Sequence, residues 1–244
     1  MKLHRGRFVF DDKSRHEPIR VAPPTLGTGI KLFVLVGSSR GFPYDEFLEN
    51  WKQAVLPPNV KVYYYFHIEG ISDIEVHGDE LHIPGVESPL QSHPKTISAY
   101  KWALENEEFD VLLRPGLSSA FHFPKLLEWL NAKPKANHAF GRKAFDSFLS
   151  GCGYALTRDV VERFVTYSPN RVVEDDLVLC DFLRGTDVGI TEWTLDFERP
   201  VNADIYNDPN FHLRFKTTVV IGDRAPDVTN HRKTIEHWNT QICE

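Results

Sequence analysis

The sequence has few cysteines and no long apolar run. Among its 244 residues, Cys152, Cys180 and Cys243 are the cysteines, and their spacing matches no metal or thiol–disulfide motif. We therefore expect a reduced, cytoplasmic protein rather than a disulfide-stabilised secreted one. No stretch is long and apolar enough to span a membrane, and the charged amino-terminal segment lacks the apolar core of a signal peptide. The sequence predicts a soluble protein without a membrane span.

An excess of positive charge and several common motifs are also missing. The formal net charge is −6, which argues against nucleic-acid binding through a basic surface. The sequence contains no Gly-x-Ser-x-Gly elbow, no phosphate-binding P-loop and no Gly-x-Gly-x-x-Gly turn. Its histidines do not show the paired spacing of a zinc site. None of these common motifs therefore identifies a catalytic or binding site in this sequence.

The apolar segments predict an α/β fold in one domain. Residues 30–36 and 60–68 are mostly apolar runs, typical of buried strands in a parallel sheet. Residues 44–55 lie between them and have helical periodicity. This strand–helix–strand order opens an α/β sheet, whose ligands bind beyond the carboxyl ends of its strands.

The remaining segments extend this pattern with less regularity. The spacing predicts short strands at 7–10 and 110–113, and an extended edge at 75–83 that contains a Gly78-Asp79 turn. It predicts helices at 95–105 and 123–130 and a surface loop at 133–147. After Leu183 the sequence is mostly strand-forming.

Three adjacent carboxylates, Glu174, Asp175 and Asp176, form the first candidate site. They precede an apolar segment at 177–183, so one reading is a set of helix-capping residues. The other reading is that one carboxylate acts as a general base. The small residues 150–153 predict a tight turn near this cluster, leading through a strand to a helix that begins after Thr157.

A cationic segment at 211–216 forms the second candidate. If it is extended, His212, Arg214 and Lys216 share one face and suit a diphosphate, although a solvated edge strand would look the same. Arg114 and the turn at 116–119 follow a predicted strand, as does the turn at 37–40. Both turns therefore lie where ligands of α/β sheets bind. Cys152 lacks a histidine partner and is a poor candidate nucleophile.

Several motifs between Lys31 and Leu183 carry a family resemblance in their order and spacing. They read LFVLVGSS, GDELHIPGVES, KTISAYKWALENEEFDVLLR, SGCGYALTRDVV and EDDLVLCDFL. Together they resemble the β-1,3-galactosyltransferase and Fringe-like group of glycosyltransferases, and most closely its soluble viral or microbial relatives. The resemblance implies an α/β fold of the GT-A type, a Rossmann-like open mixed sheet flanked by helices in a single domain. Residues 31–130 would form its nucleotide-binding half and 131–244 its acceptor-binding half, after an extension at 1–30.

The resemblance also implies an activity and its residues. Such an enzyme transfers a sugar, with inversion, from a nucleotide donor such as a UDP-sugar to a hydroxyl of a glycan or glycoprotein. The family's catalytic aspartate matches Asp176, with Asp175 as the alternate. The acceptor side would comprise Ser150, Gly151, Cys152 and Glu174. The resemblance places Gly37, Ser38, Ser39, Arg40 and Lys95 on the donor side. From the residues themselves we add to that side Arg114, Ser118, His212, Arg214 and Lys216.

One departure from the family concerns its metal. Where the family has an aspartate-rich motif for a divalent cation, this chain has Gly116, Leu117 and Ser118. We therefore expect the basic groups Arg114, His212, Arg214 and Lys216 to take over the metal's role. Manganese or magnesium held by His212 and the carboxylates stays the alternative. The missing motif also leaves open a non-catalytic nucleotide- or glycan-binding module and a purely structural α/β protein.

Overall fold

The computed structural model describes residues 29–143, 149–170, 173–194, 196–197, 210–216 and 223–243. The strand predicted at 7–10 and nearly all of the extension at 1–30 lie outside these residues. The helices are α1 (Tyr44–Lys52), α2 (Ser92–Asn106), α3 (Phe123–Asn131), α4 (Arg158–Phe164), α5 (Asp175–Arg184) and α6 (Ala225–Cys243). The strands are β1 (Leu32–Gly37), β2 (Val60–Ile68), β3 (Glu75–His77), β4 (Glu80–Pro84), β5 (Val111–Pro115), β6 (Ser119–Phe121), β7 (His138–Lys143), β8 (Leu149–Thr157), β9 (Gly189–Glu192), β10 (Asp196–Phe197) and β11 (His212–Arg214).

A mixed eight-stranded sheet organises the described part of the chain, in the order β3-β4-β2-β1-β5-β8-β7-β9. Strands β4, β2, β1 and β5 run parallel, whereas β8 is antiparallel to both β5 and β7. A second sheet of three strands has the order β10-β11-β6. The predicted α/β architecture, an open mixed sheet flanked by helices, is confirmed. None of the described helices is long and apolar enough to cross a membrane.

Helices cover both faces of the large sheet, because its central strands are apolar on both sides. On β1, Leu32, Val34 and Val36 pack into a core shared with α1, α3 and α6. Phe33 and Leu35 point the other way, into a core shared with α2, α4 and α5. Burial on both faces explains why the sequence shows a continuous apolar run here instead of alternation.

Most predicted elements are found within a few residues of their expected limits, and three predictions are wrong. The loop expected at 133–147 contains β7, which pairs with β8. The turn expected at 150–153 is instead extended chain within β8, where Gly153 lies opposite Pro115 of β5. Helix α6 was missed, because its sequence is mostly polar and only residues such as Ile235 and Trp238 reach the core. The division into a nucleotide half and an acceptor half stays a prediction.

The glycines of β8 are required by close packing rather than by a turn. A Cβ atom on Gly153 would lie 2.8 Å from Phe121 Cζ and 2.8 Å from His212 Cε1. These two rings stack with their centroids 4.0 Å apart and are buried, so neither can move aside easily.

We predict that Gly153→Ala lowers the free energy of unfolding by about 1–3 kcal/mol, because overpacking strains a filled core. Urea denaturation followed by circular dichroism measures this change. Gly116→Ala is the matched control, since the nearest atom to its added Cβ would be 3.9 Å away. Equal denaturation midpoints for the two variants would contradict the packing argument.

Candidate functional site

A cavity of about 650 Å³ opens beyond the carboxyl end of β5. Four segments supply its chemistry: the end of β5, the beginning of β8, the amino terminus of α5 and the end of β11. The structure thus brings the carboxylate cluster and part of the cationic segment to one cavity. Its lining residues are Tyr44, Pro89, Ser92, Arg114, Ser150, Gly151, Cys152, Glu174, Asp175, Asp176, Arg214 and Lys216.

Arg114 links the elements around this cavity. Its Nη2 atom lies 2.8 Å from Asp175 Oδ2, and the two side chains are only 11% and 4% exposed. Its Nη1 donates to the carbonyl oxygen of Gly151 at 2.6 Å, and its Nε donates to the Tyr65 hydroxyl at 3.2 Å. One guanidinium therefore joins β5 to β8, α5 and β2. Gly37 leaves room for it, since a Cβ there would lie 3.3 Å from Arg114 Nη2.

Asp175 is committed to this network. The Thr96 hydroxyl donates to Asp175 Oδ2 at 3.0 Å, and the Tyr65 hydroxyl lies 2.9 Å from the same Thr96 oxygen. The backbone N–H of Asp175 donates to Ser92 Oγ at 3.1 Å, which fixes the first turn of α5. Burial opposes ionisation of Arg114, but the Asp175 charge raises the pKa of Arg114 well above its usual range. Arg114 therefore keeps its positive charge in this buried position.

Asp176 has a different environment from its neighbour. It is half-buried at the cavity, and its Oδ2 accepts a hydrogen bond of 2.9 Å from the Gly151 N–H. Burial and the adjacent Asp175 charge raise the pKa of Asp176, against the opposing effect of Arg114. A Cβ on Gly151 would lie 2.5 Å from Asp176 Oδ2, so glycine is needed for the carboxylate to approach the strand. Asp176 therefore combines access to the cavity with an increased proton affinity.

Of the capping role predicted for the three carboxylates, the structure shows the position at the start of α5 but no capping hydrogen bond from Glu174. Glu174 occupies the cap position of α5, but its side chain makes no capping hydrogen bond and stays exposed. Asp175 and Asp176 lie in the first turn, where the helix dipole favours negative charge. The three adjacent carboxylates thus differ in role: Glu174 is solvated, Asp175 is paired and Asp176 faces the cavity.

Strand β11 delivers two cations to the cavity rather than three. Arg214 is half-buried and Lys216 exposed, and both line the cavity. The Phe215 N–H donates to the Ser118 carbonyl at 2.8 Å and anchors the end of the strand. Leu213 and Phe215 pack into the core, so the alternation of faces predicted from the sequence is present, but the strand is not a solvated edge.

His212 is not one of the cations. It is fully buried, and its Nδ1 accepts a hydrogen bond of 3.1 Å from Trp193 Nε1. Burial, reinforced by the Arg214 and Arg142 charges, places the pKa of His212 well below its usual range. The expectation that His212 contributes positive charge to a ligand site is therefore wrong. Its neutral ring instead packs under β8.

The predicted donor turn lies outside the lining of the cavity. The Ser38 hydroxyl donates to the Val36 carbonyl, and Lys95 Nζ donates to the Ser38 carbonyl at 3.0 Å. Lys95 also contacts both carboxylate oxygens of Glu87 at 2.8 Å, although burial lowers the pKa of Lys95. Ser39 is half-buried, whereas the exposed Arg40 pairs with Glu80 and covers the ring of Phe66. Lys95 thus fixes the turn, and Arg40 is occupied at the sheet edge.

The segment 116–118 does not fit a divalent cation. Its carbonyl oxygens accept hydrogen bonds from Ser119 N–H, Trp51 Nε1 and Phe215 N–H, and Leu117 is buried in the core. No carboxylate stands at these positions, and hard cations prefer carboxylate oxygens. This segment serves as a tight connection between β5 and β6.

Sequence reasoning missed the groups that position Arg114 and Asp175. Ser92, Thr96 and Tyr65 were not singled out, although Tyr65 lies near the carboxyl end of a predicted strand and Thr96 near the start of a predicted helix. Ligands of α/β sheets bind near strand ends and helix starts, so these two positions were the signal in the sequence that could have identified Tyr65 and Thr96.

Comparison with known proteins yields distant structural similarities. No protein-family model and no curated protein sequence matches the chain. The mannosyltransferase PcManGT from Pyrobaculum calidifontis, solved with GDP-Man and Mn²⁺, is 14% identical with a TM-score of 0.45, over 72% of this chain and 58% of that one. A glycosyltransferase involved in glycosylation of the major capsid of PBCV-1 is 10% identical with a TM-score of 0.47, over 83% and 98% of the two chains. The inositol-1-phosphate CTP transferase from T. maritima is 7% identical with a TM-score of 0.47, over 86% and 97%.

This chain therefore spans less than two thirds of the length of the mannosyltransferase. The three similar structures include transferases of sugars and of a nucleotidyl group. An assignment of function must consequently rest on the residues of the cavity.

We predict that Asp175→Ala lowers the free energy of unfolding by about 3–5 kcal/mol, because it leaves the buried Arg114 charge without its partner. Chemical denaturation at neutral pH measures this loss. Asp187→Ala is the control, since its ion pair with Arg163 is exposed and should contribute little. Similar losses in the two variants would show that burial does not govern the Arg114–Asp175 pair.

Proposed function

We propose that this protein is a glycosyltransferase of the GT-A type, which transfers a sugar from a nucleotide-sugar donor to a glycan hydroxyl by inverting single displacement. The observation that carries the proposal is the shared cavity, where Asp176 meets Arg214 and Lys216. This reaction requires a proton acceptor and positive charge that stabilises the departing diphosphate. The resemblance of the motifs between Lys31 and Leu183 supports the same conclusion and favours a UDP-sugar.

Asp176 is the proposed general base. Its carboxylate accepts the proton of the acceptor hydroxyl while that oxygen attacks the anomeric carbon. The bond from this carbon to the donor phosphate breaks, and its electron pair leaves with the nucleotide diphosphate. A raised pKa suits the role, because a base is most effective when its pKa is close to the working pH. The hydrogen bond from Gly151 N–H holds the carboxylate in place.

The contacts of Asp175 favour Asp176 over Asp175 as the base. The same Oδ2 atom contacts Arg114 at 2.8 Å and accepts from Thr96 at 3.0 Å. Taking up a proton would weaken a buried ion pair, which is costly. Of the two aspartates that the resemblance left open, we therefore choose Asp176 and assign Asp175 to positioning.

Arg214 and Lys216 are the proposed partners of the departing diphosphate. Arg114 faces the same cavity, but two of its nitrogen atoms already bind Asp175 and Gly151. Preorganised donors of this kind stabilise developing negative charge by about 3–4 kcal/mol each. The proposal thus keeps a basic replacement for the metal, carried by β11 and without His212.

A second candidate function is a non-catalytic nucleotide- or glycan-binding module. The specific observation in its favour is the segment 116–118, whose backbone oxygens and apolar side chain do not fit a cation. The module would bind a nucleotide sugar in the same cavity without transferring or hydrolysing it. Incubating the purified protein with UDP-sugars and measuring released UDP separates the two functions.

We predict that Asp176→Asn lowers kcat about 100- to 10,000-fold, the usual contribution of a general base, and leaves donor affinity nearly unchanged. Turnover assays and calorimetric titration with the donor measure the two quantities. Glu162→Gln is the control, because it removes a carboxylate of α4 outside the cavity. Wild-type turnover in Asp176→Asn would refute the assignment of the base.

We predict that sugar transfer continues at an undiminished rate in excess EDTA, because Arg214 and Lys216 stabilise the leaving diphosphate in place of a metal ion. For the same reason, Arg214→Ala should lower the rate of transfer about 100- to 1,000-fold. Lys233→Ala, which removes an exposed cation of α6, should leave the rate unchanged. Complete loss of activity in EDTA, restored by manganese, would reject the role of the basic pair.

A further inference from the structure

The β3–β4 hairpin presents a second group of chemically active side chains, at the edge of the large sheet. Its strands pair in the register Glu75 with His82 and His77 with Glu80. Directly paired residues of antiparallel strands point to the same side. The intervening Leu81 is buried in the core. Two histidines and two glutamates are therefore displayed together on one face of the hairpin.

Three of these side chains are close enough to share one ion. One ligand atom each from Glu75, His77 and His82 lies within 4.8 Å of the other two. His77 Nε2 is 3.0 Å from Glu75 Oε2, and the two imidazole rings have their centroids 4.5 Å apart. Ligand atoms at tetrahedral angles, each about 2.0–2.1 Å from zinc, lie somewhat over 3 Å apart. Small side-chain rotations suffice to reach that geometry.

The fourth residue of the patch, Glu80, serves a supporting role. Lys52 Nζ lies 2.8 Å from Glu80 Oε1, and Arg40 pairs with the other carboxylate oxygen. The Glu80 carboxylate lies 3.3 Å from His82 Nε2 and can accept an N–H from that ring. A carboxylate behind a histidine is the usual way of orienting a metal ligand.

We propose that Glu75, His77 and His82 form a zinc-binding site. Two imidazoles and one carboxylate are a ligand set that zinc adopts in proteins, with water in the fourth position. None of the three lines the cavity assigned to sugar transfer, so this site is separate from it. All three ligands come from one hairpin, and every residue of β3 is exposed. Bound zinc would therefore hold the edge strand in register.

Zinc titration of the full chain tests this site. Metal-free protein is titrated with ZnCl₂ by calorimetry and, in parallel, in competition with a chromophoric chelator. We expect one tight site in the wild type. His77→Ala and His82→Ala should each weaken it at least about 100-fold, since loss of a mere supporting partner costs about 10- to 100-fold. His237→Ala, which removes an imidazole of α6, should bind as the wild type does.

Cobalt substitution reports on the ligands directly. Co²⁺ in a four- or five-coordinate protein site gives intense visible absorption, which the His77→Ala/His82→Ala variant should lose and Glu75→Gln should alter. His77 is exposed, so its replacement should not disturb the fold. If circular dichroism shows that His82→Ala does not fold, the zinc affinity of His77→Ala by itself tests the proposal. Absence of saturable zinc binding in the wild type would overturn the proposal. Zinc binding that survives in the His77→Ala/His82→Ala variant would also overturn the proposal. If adding Asp176→Asn to that variant then abolished the binding, the zinc would be bound at the cavity instead of the hairpin.

Discussion

The buried contact between Arg114 and Asp175 is the constraint on which the cavity depends. A guanidinium and a carboxylate that are both almost inaccessible to water lose hydration, and only close pairing and further hydrogen bonds offset that cost. The donors and acceptors that satisfy them come from β2, α2 and β8. The pair therefore holds the amino terminus of α5 against the end of β5. Together with the hydrogen bond from Gly151 N–H, this connection positions Asp176 relative to the sheet.

The three consecutive carboxylates Glu174, Asp175 and Asp176 differ in solvent exposure, ion pairing and proton affinity because they have different neighbours. Glu174 remains in solvent, Asp175 is paired with Arg114, and Asp176 is half-buried beside a like charge. Only the last has both an increased proton affinity and access to the cavity. Its approach to β8 depends on Gly151, because any side chain there would occupy the space of the carboxylate. Identical functional groups thus acquire distinct roles from burial and neighbours alone.

Several cations that looked available for a ligand are committed elsewhere in the fold. Lys95 holds the turn after β1 through the Ser38 carbonyl and Glu87, and Arg40 is paired with Glu80 at the hairpin. Arg214 at the end of β11 and Lys216 just beyond it line the cavity instead. Glu80 also lies within hydrogen-bond distance of His82 on the β3–β4 hairpin. Basic residues around the sheet therefore make structural contacts as well as lining the cavity.

The order of the central strands and helices along the chain can be predicted from the amino-acid sequence, because mostly apolar runs such as 60–68 leave few alternatives to burial in a sheet. It also indicated the carboxylate cluster and the strand ends as places for chemistry. It could not reveal α6, whose polar residues conceal a narrow buried stripe, or the extended form of 150–153, where glycines are needed for close packing. The burial of His212 and the pairing of Asp175 with Arg114 follow only from the tertiary structure. Burial and charge at a side chain depend on residues brought near by the sheet, and those neighbours are distant in the sequence.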